Sequence, residues 1–219
     1  MTALLSFTNV RFAYHDAPPV LADASLVLRP GEKVGLVGDM GSGKTTFLHL
    51  AVGLLKPQAG EVAAFGVVRR TEHDFREVRR RIGLVFQHSD DQLFCPTVLE
   101  DVAFGPLNLG LSVEAARQAA ASALVQVGLR GFEQRVTYRL SGGEKRLVAL
   151  ATVLAMHPEV LLLDEPQNGL DLAAYLRVRE LLIELPQSMI VVSHDRDFLE
   201  AVTTRRLYLH NGRIQSTPP

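Results

Sequence analysis

Residues Gly38-Asp39-Met40-Gly41-Ser42-Gly43-Lys44-Thr45 follow directly on the apolar run Val34-Gly35-Leu36-Val37. A buried strand, a glycine-rich turn and a helix start, in that order, leave few folds open to the chain and point to one class of ligand. Glycines let the backbone curl so that successive N–H groups face inward at an anion. The helix that begins at Lys44, Thr45 and Thr46 brings its positive end to the same place. Lys44 has the reach for the β- and γ-phosphates of a nucleotide, and the Thr45 hydroxyl suits Mg2+. A glycine-rich turn with a stray lysine is the plain alternative; the flanking strand and helix patterns favour the phosphate-binding loop.

The rest of the chain alternates in the same way. Strand patterns cover Leu4–Tyr14, Ala24–Arg29, Lys33–Val37, Glu61–Phe65 and Ile82–Phe86, with a helix over Thr45–Leu54. From about Thr97 to Met156 the pattern turns helical. Thr97 with Glu100 and Ser141 with Glu144 have the spacing of capping boxes, and Ser112 starts an amphipathic stretch that Gly128 stops. Strand signals return at Val160–Leu163, Met189–Val192 and Leu207–Leu209 as continuous apolar runs, the mark of parallel strands buried on both faces. The expected organisation is an α/β nucleotide core interrupted by a helical insert.

With 219 residues, 47% of them hydrophobic, the chain suits one compact unit with an ample core. A formal net charge of −1 predicts no general attraction to nucleic acid. The arginine-rich stretch from Arg69 to Arg81 is broken by Glu72, Asp74 and Glu77 and reads as a solvated helix face. Cys95 is the single cysteine, so no internal disulfide forms. The charge-free run Leu147–Met156 is far too short to cross a bilayer, and any membrane role is expected to come through a partner.

Two further segments carry chemistry. The apolar run Val160–Leu163 delivers Asp164 at its carboxyl end, where ligands sit in open α/β sheets and where a carboxylate can hold Mg2+. Glu165 follows and, by strand alternation, is expected to point elsewhere; a carboxylate beside the metal site can polarise the attacking water. In Leu140-Ser141-Gly142-Gly143-Glu144, two glycines open a helix at about 1 kcal/mol each relative to alanine. That cost is reasonable if the exposed N–H groups and the Ser141 hydroxyl bind an anion.

Phosphate loop, Leu-Ser-Gly-Gly-Glu and Leu-Leu-Leu-Asp-Glu-Pro, in this order, resemble the motifs of the ATP-binding cassette (ABC) ATPases, and the resemblance spans essentially the whole chain. It implies a P-loop NTPase, RecA-like core with an N-terminal antiparallel β subdomain and an ABC-specific helical insert. That is a single domain, with core segments 1–87 and 157–219 and insert 88–156. It also implies roles. Tyr14 resembles the aromatic that stacks on adenine, although a strand-end core residue is an equal alternative. Gln87 resembles the glutamine that senses Mg2+ and the attacking water, Gly169-Leu170-Asp171 the segment crossing the dimer interface, and His194 the histidine at the γ-phosphate. ATP and Mg2+ are the implied ligands, with Thr45, Gln87 and Asp164 around the metal and Glu165 as base. Two cassettes facing head to tail, as a homo- or heterodimer, would place Ser141, Gly142 and Gly143 in trans.

A finer resemblance runs through Phe86-Gln87-His88-Ser89-Asp90-Asp91-Gln92-Leu93-Phe94, Pro96-Thr97-Val98 and Asp101–Pro106. It is similar to the ATPases of energy-coupling factor importers, which take up vitamins or the transition metals cobalt and nickel. This implies a peripheral subunit at the cytoplasmic face of the membrane, contacting integral membrane transport subunits around Asp90, Asp91 and Gln92. Departures from the family pattern are Met40 in the phosphate loop, Glu144 after Ser-Gly-Gly, and Gln167-Asn168 after the Asp-Glu-Pro. Only residues 195–219 follow His194, which suggests a dimer held mainly by ATP and the membrane scaffold. The alternative is a soluble cassette acting on DNA or the ribosome. The stretch Gln87–Leu140 leaves no room for a long coiled coil, and no Asn-Lys-x-Asp guanine motif occurs.

Overall fold

The computed structural model describes residues 2–218. In chain order the strands and helices are β1 (Leu5–Phe12), β2 (Leu21–Leu28), β3 (Lys33–Val37), α1 (Lys44–Ala51), β4 (Ala59–Ala64), β5 (Val67–Val68), α2 (Glu72–Arg81) and β6 (Ile82–Val85). Then follow α3 (Val98–Asn108), α4 (Val113–Gln126), α5 (Gly142–Leu154), β7 (Val160–Asp164), α6 (Leu172–Glu184), β8 (Ser188–Val192), α7 (Arg196–Val202), β9 (Arg205–His210) and β10 (Arg213–Gln215).

The strands form one curled sheet in the order β5-β4-β1-β2-β10-β9-β3-β8-β7-β6. Its two ends differ in kind. β3, β8, β7 and β6 run parallel, and every residue of β7 and β8 is buried. These are the unbroken apolar runs that the sequence presents, and helices cover both faces. β1 instead pairs antiparallel with β2 and β4 and alternates buried with exposed residues. One face therefore packs and the other meets water. Two clusters of buried side chains share the sheet. One, built on Phe7, Phe47 and Phe75, joins the antiparallel end to α1 and α2. The other joins α3, α4 and α5 to the opposite face of β7 and β8.

The structure shifts several boundaries and changes one environment. The helix after the phosphate loop ends at Ala51 rather than Leu54, because Gly53 turns left-handed at φ 71°. The stretch 97–156 is not helical throughout: 127–141 is irregular apart from a 3-10 turn at Thr137–Arg139. The short strands β5 and β10 lie outside every strand pattern in the sequence. Arg69 is not solvated. It is buried, its guanidinium donating to Ala64 O and, at 2.6 Å, to Glu77 Oε2. Glu77 sits one helical turn into α2, so this pair ties the start of that helix to β4.

Gly53 also carries a packing constraint. A Cβ there would meet the ring of Phe75 at 2.2 Å, and Phe75 is itself fully buried with nowhere to swing. Gly53→Ala combines a left-handed alanine with overpacking and is expected to lower stability by about 2–4 kcal/mol. A chemical denaturation curve checks this; a midpoint shift worth less than about 1 kcal/mol would contradict it.

In the insert, α3 and α5 begin with capping boxes on Thr97 and Ser141. The buried Asp101 carboxylate accepts from the Phe94 and Cys95 backbone N–H groups and from the Thr137 hydroxyl, fastening the irregular stretch to α3. Burial and the nearby Asp101 push the Cys95 thiol up to about 11, so it stays protonated at neutral pH.

Candidate functional site

The carboxyl ends of β3, β6, β7 and β8 open onto one cavity of about 600 Å3. Tyr14, Met40, Gly41, Gly43, Lys44, Thr45, Thr46, Gln87, Asp164, Glu165, Gln167 and His194 line it. Thus residues from five separate segments converge where strand ends leave a crevice.

The loop after β3 is shaped for an anion. Gly41 and Gly43 hold φ of 76° and 103°, and a Cβ on Gly43 would strike Val20 at 2.5 Å. α1 starts without a side-chain cap, leaving its first-turn N–H groups open at the loop. Lys44 is turned back: its Nζ donates to Gly38 O at 2.7 Å and Asp39 O at 2.8 Å. Burial pulls its pKa down, while Glu165, Asp164 and Asp39 push it up. Ser42 Oγ is buried with no hydrogen-bond partner among the described residues. Met40, by contrast, is 91% exposed, so the departure at that position leaves the loop backbone undisturbed.

Opposite lies the acid pair. Thr45 Oγ1 donates to Asp164 Oδ2 at 2.5 Å. Burial raises the pKa of Asp164, and the Thr45 bond opposes that shift. A hydroxyl, a desolvated carboxylate and the Gln87 side chain are hard oxygen donors of the sort Mg2+ takes, and a cation would relieve the buried charge. The residues therefore fit that ion. No group of three His, Cys, Asp or Glu residues capable of holding a metal occurs among the described residues.

Glu165 does not point away from Asp164, contrary to simple strand alternation. β7 ends at Asp164, and Glu165 adopts a left-handed backbone with φ 49°. The turn brings both carboxylates to the same cavity. Such a conformation is uncommon outside glycine and asparagine. Here it is held by Glu165 N donating to Val192 O at 2.9 Å on β8. Glu165 Oε2 accepts from Gln167 Nε2 at 2.9 Å and from His194 N at 3.3 Å. His194 Nε2 lies 3.3 Å from Oε1 but off the line that a hydrogen bond needs.

Tyr14 stands at the mouth of the cavity, half exposed and edge-on to Phe12, sharing a 3.0 Å hydrogen bond with Thr46 Oγ1. Gly38 and Asp39 line a neighbouring cavity of about 690 Å3, with Met40 and His194 at the join. Ser141, Gly142 and Gly143 do not reach the first cavity. They open α5, Ser141 and Gly142 exposed, with the Ser141 hydroxyl accepting from Glu144 N. Asp90 and Asp91 are exposed, Asp90 pairing with Lys145 Nζ at 2.6 Å. Gln92 is turned inward, donating to Ala149 O and Thr152 Oγ1.

The structure adds a residue that the motifs do not single out. Arg146 on α5 is 7% exposed, and its guanidinium donates to Phe86 O at 2.8 Å and Gln87 O at 2.5 Å. Burial pulls its pKa down while Asp164 and Glu165 push it up, so this buried cation sits behind the acid pair. The position of an arginine three residues past a helix-opening Gly-Gly is the only sequence signal for it. A second feature lies where the insert meets the core: a groove of about 250 Å3 lined by Leu54, Leu84, Phe86, Phe94, Phe104 and Met156, with Phe94 and Phe104 66% and 46% exposed.

A family model described as "ABC transporter" matches residues 21–168. An ABC transporter ATP-binding protein of Nitratidesulfovibrio vulgaris is 52% identical over 96% of this chain and 78% of its own length. The energy-coupling factor transporter ATP-binding protein EcfA of Methanothermobacter thermautotrophicus is 41% identical over 98% of this chain and 71% of its own. Among solved structures, cbiO1 of Clostridium perfringens, part of the ABC transporter complex cbiONQ, is 31% identical with a TM-score of 0.86. The match covers 98% of this chain and 88% of that one. The ATP-binding cassette MJ0796, a dimer bound to ADP and phosphate, is 28% identical with a TM-score of 0.88, covering 98% and 99%.

Proposed function

Because this chain belongs to the ABC transporter ATPase family, and so is an ATP-binding, ATP-hydrolysing cassette of a transport complex, we propose that it powers an energy-coupling factor importer. The observation that carries the catalytic part is the convergence of Lys44, Thr45, Gln87, Asp164, Glu165 and His194 on one cavity. The transported cargo is a cobalt or nickel ion in preference to a vitamin, on motif resemblance, and it is recognised by a membrane subunit. No helix among the described residues is long and apolar enough to cross a membrane. The place proposed for the chain, peripheral at the cytoplasmic face, rests on its likeness to the energy-coupling factor ATPases. Residues 1–87 and 157–219 form the nucleotide core and 88–156 the insert.

In the proposed mechanism ATP enters the cavity with its phosphates on the loop N–H groups, and Tyr14 lies against the adenine. Lys44 leaves the Gly38 and Asp39 carbonyls for the β- and γ-phosphates. Thr45, Asp164 and Gln87 would hold Mg2+, which would supply charge neutralisation at the phosphates. Glu165 takes a proton from the attacking water and His194 contacts the γ-phosphate. Ser141, Gly142 and Gly143 act on the ATP of a second cassette, homologous or identical, a reading supported by their position outside this chain's own cavity.

The groove flanked by Phe94 and Phe104, with Gln92 in its wall, is the proposed seat of the integral membrane subunit, and the exposed Asp90 and Asp91 directly precede Gln92 in the chain. Phe104→Asp is expected to abolish recovery of that subunit from solubilised membranes while the affinity for ATP changes less than twofold. Undiminished recovery would remove the groove from this role. Capture of only ribosomes or DNA by the unaltered chain would favour the soluble alternative.

A further inference from the structure

We propose that Gln167 positions Glu165 for proton abstraction, holding one carboxylate oxygen so that the other faces the water. This deepens the reading of Glu165 as base and rests on it. A carboxylate only accepts hydrogen bonds, so Gln167 must present its NH2 group to Glu165 Oε2, as the 2.9 Å contact has it. His194 N adds a second donor to the same oxygen at 3.3 Å. With Oε2 engaged twice, Oε1 is left buried and without a hydrogen-bond partner among the described residues. An orphaned buried acceptor carries a desolvation penalty and marks a site where a donor arrives in another state.

The amide end completes the picture. Turning its NH2 toward Glu165 leaves Gln167 Oε1 likewise buried and unpartnered. Both residues line the nucleotide cavity. Each of these two buried acceptors, on residues lining the same cavity, can take a proton from a water molecule that enters it. In the reaction one water proton passes to Glu165 Oε1 as the water oxygen bonds the γ-phosphorus. The bond from that phosphorus to the β–γ bridging oxygen breaks, giving ADP and phosphate. Backbone geometry makes the orientation of Glu165 sensitive: its left-handed φ of 49° sets where the side chain starts, and the Gln167 bond sets where it ends.

The test uses the assembled ATPase. Gln167→Met keeps the side-chain length and removes the donor. We expect kcat to fall roughly 10- to 150-fold, the loss of one charge-assisted hydrogen bond, with KM for ATP within twofold. Gln167→Glu, nearly isosteric, replaces the donor with a like charge and should lower kcat further. A packing role would not rank the two variants this way. In single-turnover measurements, Gln167→Met added to Glu165→Gln should cause less than a twofold further loss, because the oriented group is already gone. Unchanged kcat in both single variants, or losses that multiply, would overturn the assignment. If Gln167→Met fails to bind ATP, the decision falls to Gln167→Glu. Full turnover in Glu165→Gln alone defeats the parent reading; an inactive Glu165→Gln beside a fully active Gln167→Met defeats only this inference.

Discussion

Glu165→Gln is expected to lower ATP turnover by about 10^2- to 10^4-fold, the range that a positioned general base supplies. The substitution preserves the shape of the side chain and can keep an acceptor toward Gln167 and His194. What disappears is the basic Oε1, buried in the nucleotide cavity and lacking a hydrogen-bond partner among the described residues. Asp164, Thr45 and Lys44 keep their own contacts, so nucleotide affinity is expected to stay within a few-fold. Binding without cleavage should then accumulate an ATP-clasped dimer, visible by sedimentation with ATP and absent without it. A turnover rate near that of the unaltered protein would remove Glu165 from the base role.

Lys44→Ala is expected to weaken ATP binding by roughly 10- to 150-fold, the worth of about 1.5–3 kcal/mol for a charge-assisted bond to phosphate. The free protein moderates the effect. Lys44 Nζ is already satisfied by the carbonyls of Gly38 and Asp39, so ATP gains only the difference between phosphate and carbonyl contacts. ADP, which lacks the γ-phosphate, should lose less than ATP does. Calorimetric titration of both nucleotides separates the two. Equal affinity in the variant and the parent would show that the loop N–H groups alone hold the phosphates.

Much of this was legible in the chain because the relevant signals are local. The loop around Lys44 and the strand before Asp164 each declare themselves within a few residues, and the parallel strands β7 and β8 read as unbroken apolar runs. Segments whose structure depends on distant partners were not legible. Arg69 carries the composition of a solvated helix face, yet Ala64 O and Glu77 bury it. β10 exists because β9 and β2 flank it, not because Arg213–Gln215 favours a strand. The direction of Glu165 depends on where β7 stops, and a bond to Val192 on another strand decides that. Arg146 is silent in the pattern because its partners lie about sixty residues upstream.

That arginine has a thermodynamic corollary. Its guanidinium bolts the opening turns of α5 to the backbone at Phe86 and Gln87, so the insert and the loop bearing Gln87 shift as one body. Free energy exchanged between two such sites is reciprocal. If binding of ATP shifts the insert, then a protein gripping the insert must alter the grip on ATP by the same factor.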